Sequence, residues 1–310
     1  MRQYSVKSQH SRHVTQLRFR PNSAELTGLT GRLVNARNLV AWDLASGKSE
    51  QLKHFRGEII SSFDYSPDGT QLAAGDVSGI ATIYEVPGYL RLDEFHLVSG
   101  QQAAGQRWRS IAQVAFSPSS EPRNQWVVAI SNEIQLRNIK TREVIAAFDL
   151  GLFEAVAFTP SGDAIVVIER EEAELISWTI KPVRERFRIK IDRKQRTNRS
   201  RSRLAISPDG ETIAVTEGNT IRLVNAVGEL RGRIPLTQPP HDFVFLPGNN
   251  QLAVADGGNT IKIFDIHTCT QAQEFDWGIG TVYCLTVHPD GTIAAAGGEN
   301  GQVVVWDLDG

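Results

Sequence analysis

Short apolar segments that end in a proline turn recur along the whole chain. The seven segments are LRFRPNS at Pro21, FDYSPDG at Pro67, VAFSPSS at Pro118, VAFTPSG at Pro160, LAISPDG at Pro208, FVFLPGN at Pro247 and LTVHPDG at Pro289. Successive prolines are 46, 51, 42, 48, 39 and 42 residues apart. In S-P-D-G the proline presets φ, the aspartate bonds to nearby backbone and the glycine accepts a positive φ. Each segment therefore predicts a strand that ends in a tight turn.

A second apolar series keeps step with the first. Its members are LVAWDL at Trp42, ATIYEV at Tyr84, IQLRNI at Arg137, LISWTI at Trp178, IRLVNA at Val224, IKIFDI at Phe264 and VVVWDL at Trp306. Short strands separated by turns at regular spacing are typical of an all-β fold, and a fixed repeat length indicates a repeat architecture.

The second series carries a resemblance to a known family. The dipeptide Trp-Asp is literal at residues 42–43 and 306–307, and approximate at 264–265 and 84–85. With the S-P-D-G turns, the chain resembles the WD-repeat (WD40) family over essentially its whole length. That resemblance implies an all-β, seven-bladed β-propeller of four-stranded antiparallel blades, with residues 1–310 as one domain. The family's Gly-His dipeptide is missing, and only His13 and His241 lie near its place, so we do not expect its buried His–Asp network in most blades.

The repeat also predicts the blade boundaries. We expect blades at about 14–55, 59–98, 111–149, 153–192, 202–235, 241–276 and 281–307. The last blade lacks an outer strand, and RQYSVKS (2–8) has the length to supply it. We therefore predict that the N-terminal strand completes the last blade and closes the ring.

Composition narrows the class of protein. The net charge is −2 and the pI is about 6.4, so an anionic partner would have to be recognised locally. Two cysteines, no apolar leader and no membrane-length apolar run predict a cytoplasmic protein without a membrane segment. The single Met1 and the lack of a tag lead us to expect a complete chain. We expect a monomeric propeller that works within a complex.

Positive charge is concentrated in residues 184–203, where ten of twenty residues are Lys or Arg. From Val183 to Ile191 the pattern alternates, which predicts the outer strand of blade 4. Glu185 falls with the apolar positions, and the opposite face carries Arg184, Arg186, Arg188 and Lys190. Charge on an exposed edge prevents edge-to-edge pairing, so this half of the stretch needs no ligand.

Residues 193–203 are predicted to form a loop into blade 5 that needs no edge protection. Its six cations repel one another unless an anionic group meets them. Three interpretations stay open: an acidic partner or phosphate-bearing ligand, a solvated loop, or internal pairing with the acidic turn at Glu169–Glu174.

A second long connection, residues 98–110, contains Arg107-Trp108-Arg109. Trp and Arg are enriched in interface hot spots, although Trp108 would also fit the seam between two blades. Both long connections join an outer strand to the next inner strand, so both are expected on the face that carries the turns between second and third strands. The predicted partner-binding residues on this face are Arg56, Arg107, Trp108, Arg109, Arg196, Arg199, Arg201, Arg203, His241 and Tyr283.

No catalytic or cofactor motif was found. SGKS (46–49) lacks the upstream glycine of a phosphate loop, His267 and Cys269 lack two further zinc ligands, and Cys284 is predicted to fill core. The sequence therefore predicts a non-catalytic scaffold or adaptor for protein partners, without metal or cofactor. The alternative is nucleic-acid or phospho-ligand binding through residues 193–203, with affinity that falls steeply as salt rises.

Overall fold

The computed structural model describes residues 3–7, 13–32, 35–52, 55, 59–97, 110–118, 126–130, 133–148, 152–192 and 202–308. Within these ranges, 28 strands form seven four-stranded antiparallel sheets. The sheets are the blades of a seven-bladed β-propeller, which confirms the predicted fold class.

The first four blades each use four consecutive strands. Blade 1 contains β2 (Val14–Phe19), β3 (Glu25–Arg32), β4 (Asn35–Asp43) and β5 (Lys48–Gln51). Blade 2 contains β6 (Ile60–Tyr65), β7 (Gln71–Asp76), β8 (Ile80–Glu85) and β9 (Arg91–His96). Blade 3 contains β10 (Gln113–Phe116), β11 (Trp126–Ile130), β12 (Ile134–Asn138) and β13 (Val144–Phe148). Blade 4 contains β14 (Phe153–Phe158), β15 (Ala164–Glu169), β16 (Glu174–Ile180) and β17 (Val183–Lys190).

The remaining three blades include one that joins the two ends of the chain. Blade 5 contains β18 (Leu204–Ile206), β19 (Thr212–Glu217), β20 (Thr220–Asn225) and β21 (Leu230–Pro235). Blade 6 contains β22 (Asp242–Phe245), β23 (Gln251–Ala255), β24 (Thr260–Asp265) and β25 (Thr270–Asp276). Blade 7 contains β26 (Cys284–Val287), β27 (Ile293–Gly297), β28 (Gln302–Asp307) and the N-terminal β1 (Gln3–Lys7). β1 pairs antiparallel with β28, with Gln3 opposite Trp306. That this pairing closes the ring stays a prediction.

Two compact units divide the chain. One spans Met1–Arg56 and Asp192–Gly310, and it holds blades 5, 6, 7 and 1. The other spans Gly57–Ile191 and holds blades 2, 3 and 4. Each unit has its core between neighbouring blades. In the second unit, for example, the Trp178 ring stacks on Phe148 with centroids 4.6 Å apart. In the first, Cys284 is buried against Val14 of blade 1, as its predicted core role requires.

The S-P-D-G turns of blades 2 and 5 fold as their sequence predicts. In the S-P-D-G turn of blade 2, Ser66 Oγ donates to Asp68 Oδ1 at 2.6 Å, and the same oxygen accepts the Thr70 amide at 3.0 Å. Gly69 has φ +69°, a conformation that costs glycine little and other residues more. These contacts fix where each inner strand ends and the next strand begins.

The aspartate of the Trp-Asp pair organises the turn after the third strand. Asp43 Oδ1 accepts the amides of Ala45 at 2.8 Å and Ser46 at 3.1 Å. Asp265, Asn138 and Asn225 each accept two following amides in the same way. Because Asn offers the same acceptor, the repeat tolerates it where the family has Asp.

The outer strand of blade 4 departs from its predicted alternation. In the register of β16 and β17, Phe187 lies opposite Ser177, but Glu185 lies opposite Trp178. Arg186 is therefore the extra residue of a β-bulge, which reverses the faces of the residues before it.

The bulge corrects the predicted orientations. Glu185 lies on the same face as Arg188 and Lys190, because residues directly opposite one another share a face of the sheet. The prediction had placed Glu185 with the apolar positions, and it was wrong for the same reason about Val183 and Arg184, which exchange faces. The bulge allows an ion pair between Glu185 and Arg188 at 2.7 Å.

Candidate interaction site at the starts of the inner strands

Three of the ten predicted partner-binding residues lie within the described part of the chain, and they come together in the first unit. Arg203, His241 and Tyr283 each precede the inner strand of their blade, in blades 5, 6 and 7. All three are half-buried. The other seven lie outside the described residues: Arg56, Arg107, Trp108, Arg109, Arg196, Arg199 and Arg201.

Arg203 bridges blades 5 and 6. Its Nε donates to the His241 carbonyl oxygen at 2.7 Å and lies 3.5 Å from Asp242 Oδ1. Its backbone amide donates to Thr216 Oγ1 at 2.7 Å. A charge-assisted hydrogen bond of this length fixes the guanidinium in one position at the start of the inner strands.

His241 connects blade 6 to blade 7. Its Nδ1 lies 2.9 Å from the carbonyl oxygen of Val282. A carbonyl oxygen only accepts, so Nδ1 carries the proton. Among the described residues, Nε2 has no hydrogen-bond partner. The imidazole therefore has one ring nitrogen beyond the contacts that hold it.

Tyr283 lies beside two imidazoles. Its ring stacks on His241 with centroids 5.2 Å apart and an interplanar angle of 13°, and the His13 ring lies 5.0 Å from it. Burial, and then the nearby Glu299 carboxylate, raise the pKa of Tyr283 above its ordinary value of 10.0. The phenol therefore stays neutral at physiological pH and can donate a hydrogen bond. We call Arg203, His241, Asp242, Tyr283, Glu299 and His13 the rim cluster.

Asp242 and Glu299 are not among the residues predicted from the sequence to bind a partner. Asp242 Oδ2 also accepts the Leu285 amide of blade 7 at 3.0 Å, which ties the two inner strands together. Its adjacency to His241 was the one signal that could have drawn attention to it. Glu299 gave no signal, because it approaches Tyr283 only in the folded chain.

The histidines do not form the family's network. Neither His13 nor His241 bonds to an aspartate in the part of the chain that is described, and His13 Nδ1 is buried without a partner there.

Two of the four cations of the outer strand of blade 4, Arg188 and Lys190, form ion pairs within the blade. Arg188 pairs with Glu185 and with Glu174, and Lys190 lies 3.0 Å from Glu172 and 3.2 Å from Glu174. Two acids of the 169–174 turn therefore pair with the strand, and they are not available as free counter-charges for the loop. The loop cations at 193–201 lie outside the described residues.

Over the described ranges, no group of three or more His, Cys, Asp or Glu side chains could hold a metal ion. Within the same ranges, no helix has the length and apolar character to cross a bilayer.

Comparison with known proteins finds the same repeat. The model of the WD domain, G-beta repeat, matches residues 273–307. The small ribosomal subunit protein RACK1 of Caenorhabditis elegans is 31% identical over 67 residues, which is 21% of each chain. RACK1 of Neurospora crassa is 26% identical over 63 residues, and MST50-interacting protein 11 of Pyricularia oryzae is 25% identical over 63 residues, in both cases 20% of each chain. The match thus spans about a fifth of the length of these curated relatives.

Proposed function

We propose that this chain, as a WD-repeat β-propeller, is a non-catalytic scaffold that binds partner proteins at the rim cluster. The observation that carries the proposal is the convergence of Arg203, His241 and Tyr283 at the starts of three consecutive inner strands. Half-buried aromatic and guanidinium groups held by a rigid frame are typical of interface hot spots.

The rigidity of the frame supports this role. The Arg203 and His241 side chains each contact a backbone carbonyl oxygen, and the Tyr283 ring stacks on His241, so less side-chain freedom remains to be lost on binding. Side chains that are ordered before binding favour affinity and partner selection.

The names of the relatives agree with such a role. Two are named as ribosomal subunit proteins, and the third is named as an interacting protein. We infer protein partners in the cytoplasm for this chain, with the propeller acting as a single copy within a complex. The seven predicted residues outside the described ranges remain part of the proposed contact surface.

Affinity capture from the native cell tests the proposal. One bait carries Gln in place of Arg196, Arg199, Arg201 and Arg203, and the matched control carries Gln in place of the four exposed outer-strand arginines Arg91, Arg184, Arg186 and Arg231. We expect partner proteins to be lost from the first bait and retained by the control. Equal recovery by both baits would contradict the proposal.

A further inference from the structure

The outer strand of blade 3 differs from the other outer strands in charge. Among the seven outer strands, all of which lie in the described ranges, β13 (Val144–Phe148, sequence VIAAF) alone carries no charged residue. The other six contain acids, bases or both. Charge on an exposed edge strand protects it against pairing with another chain. Blade 3 therefore lacks a protection that the other blades have.

A bulge does not replace the missing charge. Ala146 and Val144 lie opposite consecutive residues of β12, so Ile145 is the extra residue of a bulge in β13. Blades 2, 4, 5 and 6 have a bulge at the corresponding place and carry charge as well. From Ala146 to Phe148 the pairing of β13 with β12 is regular. This part of the edge has the geometry that an added strand needs.

The edge of β13 exposes backbone groups as well as side chains. In the part of the chain that the structure describes, β13 pairs with β12 and with no other strand. In an antiparallel ladder the backbone groups of alternate residues bond to the neighbouring strand, and those of the residues between them point away from it. Backbone donors and acceptors are thus directed outward along β13.

The side chains of β13 are exposed or half-buried. Val144 is 49% exposed. It lies opposite Arg137 and so shares a face of the sheet with it. The Arg137 guanidinium carbon lies 4.6 Å from the ring centroid of Phe95 in blade 2. Val144 is therefore on the side of β13 that faces blade 2.

Two exposed leucines of blade 2 extend this apolar surface. Leu92 in β9 is 37% exposed, and Leu90, directly before β9, is 65% exposed. Arg142, two residues before β13, donates from Nη2 to the Leu92 carbonyl oxygen at 2.9 Å. This contact brings Leu92 next to the start of β13. We call β13, Leu90 and Leu92 the apolar edge, and all of it belongs to the second unit.

We propose that the apolar edge binds an extended, uncharged segment of a partner protein, which adds to β13 as a fifth strand of blade 3. The outward backbone groups of β13 favour a strand, because a helix bonds its own backbone groups and would leave those of the edge unpaired. In such additions the backbone supplies affinity and side-chain contacts supply specificity. Val144 and Leu92 would contact apolar side chains of the segment. The proposal goes beyond the rim cluster, since it uses residues of the second unit alone.

A partner segment fits the apolar edge better than a second copy of this chain does. β13 has five residues, so at about 3.4 Å per residue two such strands would pair along only about 17 Å. Two rigid blades that meet along so short a line bury less than the roughly 1,200 Å² of a stable interface. A flexible segment can follow β13 and continue over Leu92 and Leu90.

A synthetic peptide tests strand addition without the native partner. The probe is a fluorescent peptide with a short core of alternating valine and threonine. Because strand addition depends mainly on backbone bonds, we expect saturable binding of this probe. In a second probe, prolines replace two neighbouring core residues, so at least one donor to β13 is lost. We expect the proline probe to bind roughly tenfold more weakly, or less tightly still.

A charge placed on the edge tests the position of binding. Ala147→Lys puts a cation at an exposed position of β13, and the matched control Ala272→Lys puts the same cation at an exposed position of β25 in blade 6. Val144→Lys is an independent variant of the edge, and a thermal melt confirms that each variant is folded. We expect the valine–threonine probe to bind roughly tenfold more weakly to both edge variants, and to change less than about twofold with the control.

The contrary outcomes are specific. Absence of saturable binding, equal binding of the proline probe, or equal weakening by Ala147→Lys and Ala272→Lys would overturn strand addition at β13. Tighter binding of a helical alanine–leucine peptide would overturn the extended form of the segment. A dimer seen by sedimentation and abolished by Ala147→Lys would overturn the partner segment in favour of a second copy. These measurements need no native partner, so their failure would leave the proposal for the rim cluster standing.

Discussion

Two histidine–aromatic pairs in the first unit differ in what holds the imidazole. His241 stacks on Tyr283 at the start of an inner strand. His288 meets Phe19 edge-on, with centroids 5.1 Å apart, in the turn that follows the inner strand of blade 7. His288 Nδ1 also lies 2.7 Å from Asp290 Oδ1, within the H-P-D-G turn.

The two histidines differ in the contacts within the fold that hold each ring. The H-P-D-G turn and its aspartate account for His288. The His241 imidazole is held by one carbonyl oxygen and by the Tyr283 ring, and its Nε2 has no hydrogen-bond partner among the described residues. The same contrast applies to the charges. Carboxylates on the same blade pair with Arg188 and Lys190 of the blade 4 outer strand, while Arg203 of the rim cluster is held by the His241 carbonyl oxygen and Asp242. A side chain that is held at a backbone carbonyl oxygen can still present its other atoms to a partner.

Removing the buried Glu217 carboxylate, which contacts Arg222 and Arg233, should have the largest effect on stability. Glu217→Ala removes the carboxylate that lies 3.4 Å from Arg222 Nη1 and 3.2 Å from Arg233 Nε, and it removes the acceptor of the Asp192 amide. Because Arg233 is 49% exposed, we expect a loss of about 2 kcal/mol in the free energy of unfolding, below the value for a fully buried pair.

The matched control lies in the same blade. Glu211 is 63% exposed and lies 3.7 Å from Arg231, so Glu211→Ala should cost less than about 0.5 kcal/mol. Urea unfolding of the two variants measures the difference. Equal losses would show that Glu217 contributes no more to the free energy of unfolding than the exposed Glu211 does.

Acid should weaken the turns that carry the repeat. Hydrogen bonds from the backbone amides, first from Ser46, lower the pKa of Asp43 below 3.8, and the Thr292 amide is the first cause of the same shift at Asp290. A carboxyl whose pKa is lowered by folding stabilises the fold above its unfolded pKa, and this contribution is lost as the pH falls through the folded pKa. We therefore expect the melting temperature to decrease as the pH is lowered below about 4.

Asparagine replacement isolates these carboxylates. Asp43→Asn with Asp290→Asn should flatten the acid limb of the stability curve, since Asn keeps an acceptor for the turn amides but has no charge to lose. Thermal melts between about pH 2 and 7 provide the measurement. An unchanged acid limb would mean that these turns do not set the acid stability.

The smallest expected effect is a titration shift within the rim cluster. Replacing Glu299 by Gln removes the second cause of the raised Tyr283 pKa and keeps the first, burial. The pKa of Tyr283 should therefore fall toward 10.0 but stay above it. Ultraviolet titration against Tyr283→Phe isolates this phenol. An unchanged Tyr283 pKa in Glu299→Gln would mean that the Glu299 carboxylate does not contribute to the raised pKa.

The repeat alone predicts most of the fold. Turn chemistry is local, so the proline segments and the Trp-Asp pairs predict where strands end and which acceptors order the turns. The bulge at Arg186 could not be predicted, because one extra residue in β17 leaves the local pattern alternating and shows only in the register with β16.

The candidate site, like the fold, can be predicted from the sequence only in part. The topology places Arg203, His241 and Tyr283 at equivalent points of successive blades, which the sequence predicts. Their contacts with Asp242 and Glu299 depend on side chains that meet only across strands or blades. No spacing along the chain encodes those meetings.

The most direct test of the rim cluster compares the two histidines. Purified partner from the capture experiment is titrated with His241→Ala and with His288→Ala, and a thermal melt confirms that each variant is folded. We predict at least tenfold weaker binding for His241→Ala and no more than twofold weaker binding for His288→Ala. Equal weakening, or weakening confined to His288→Ala, would contradict the assignment of the rim cluster as the binding site.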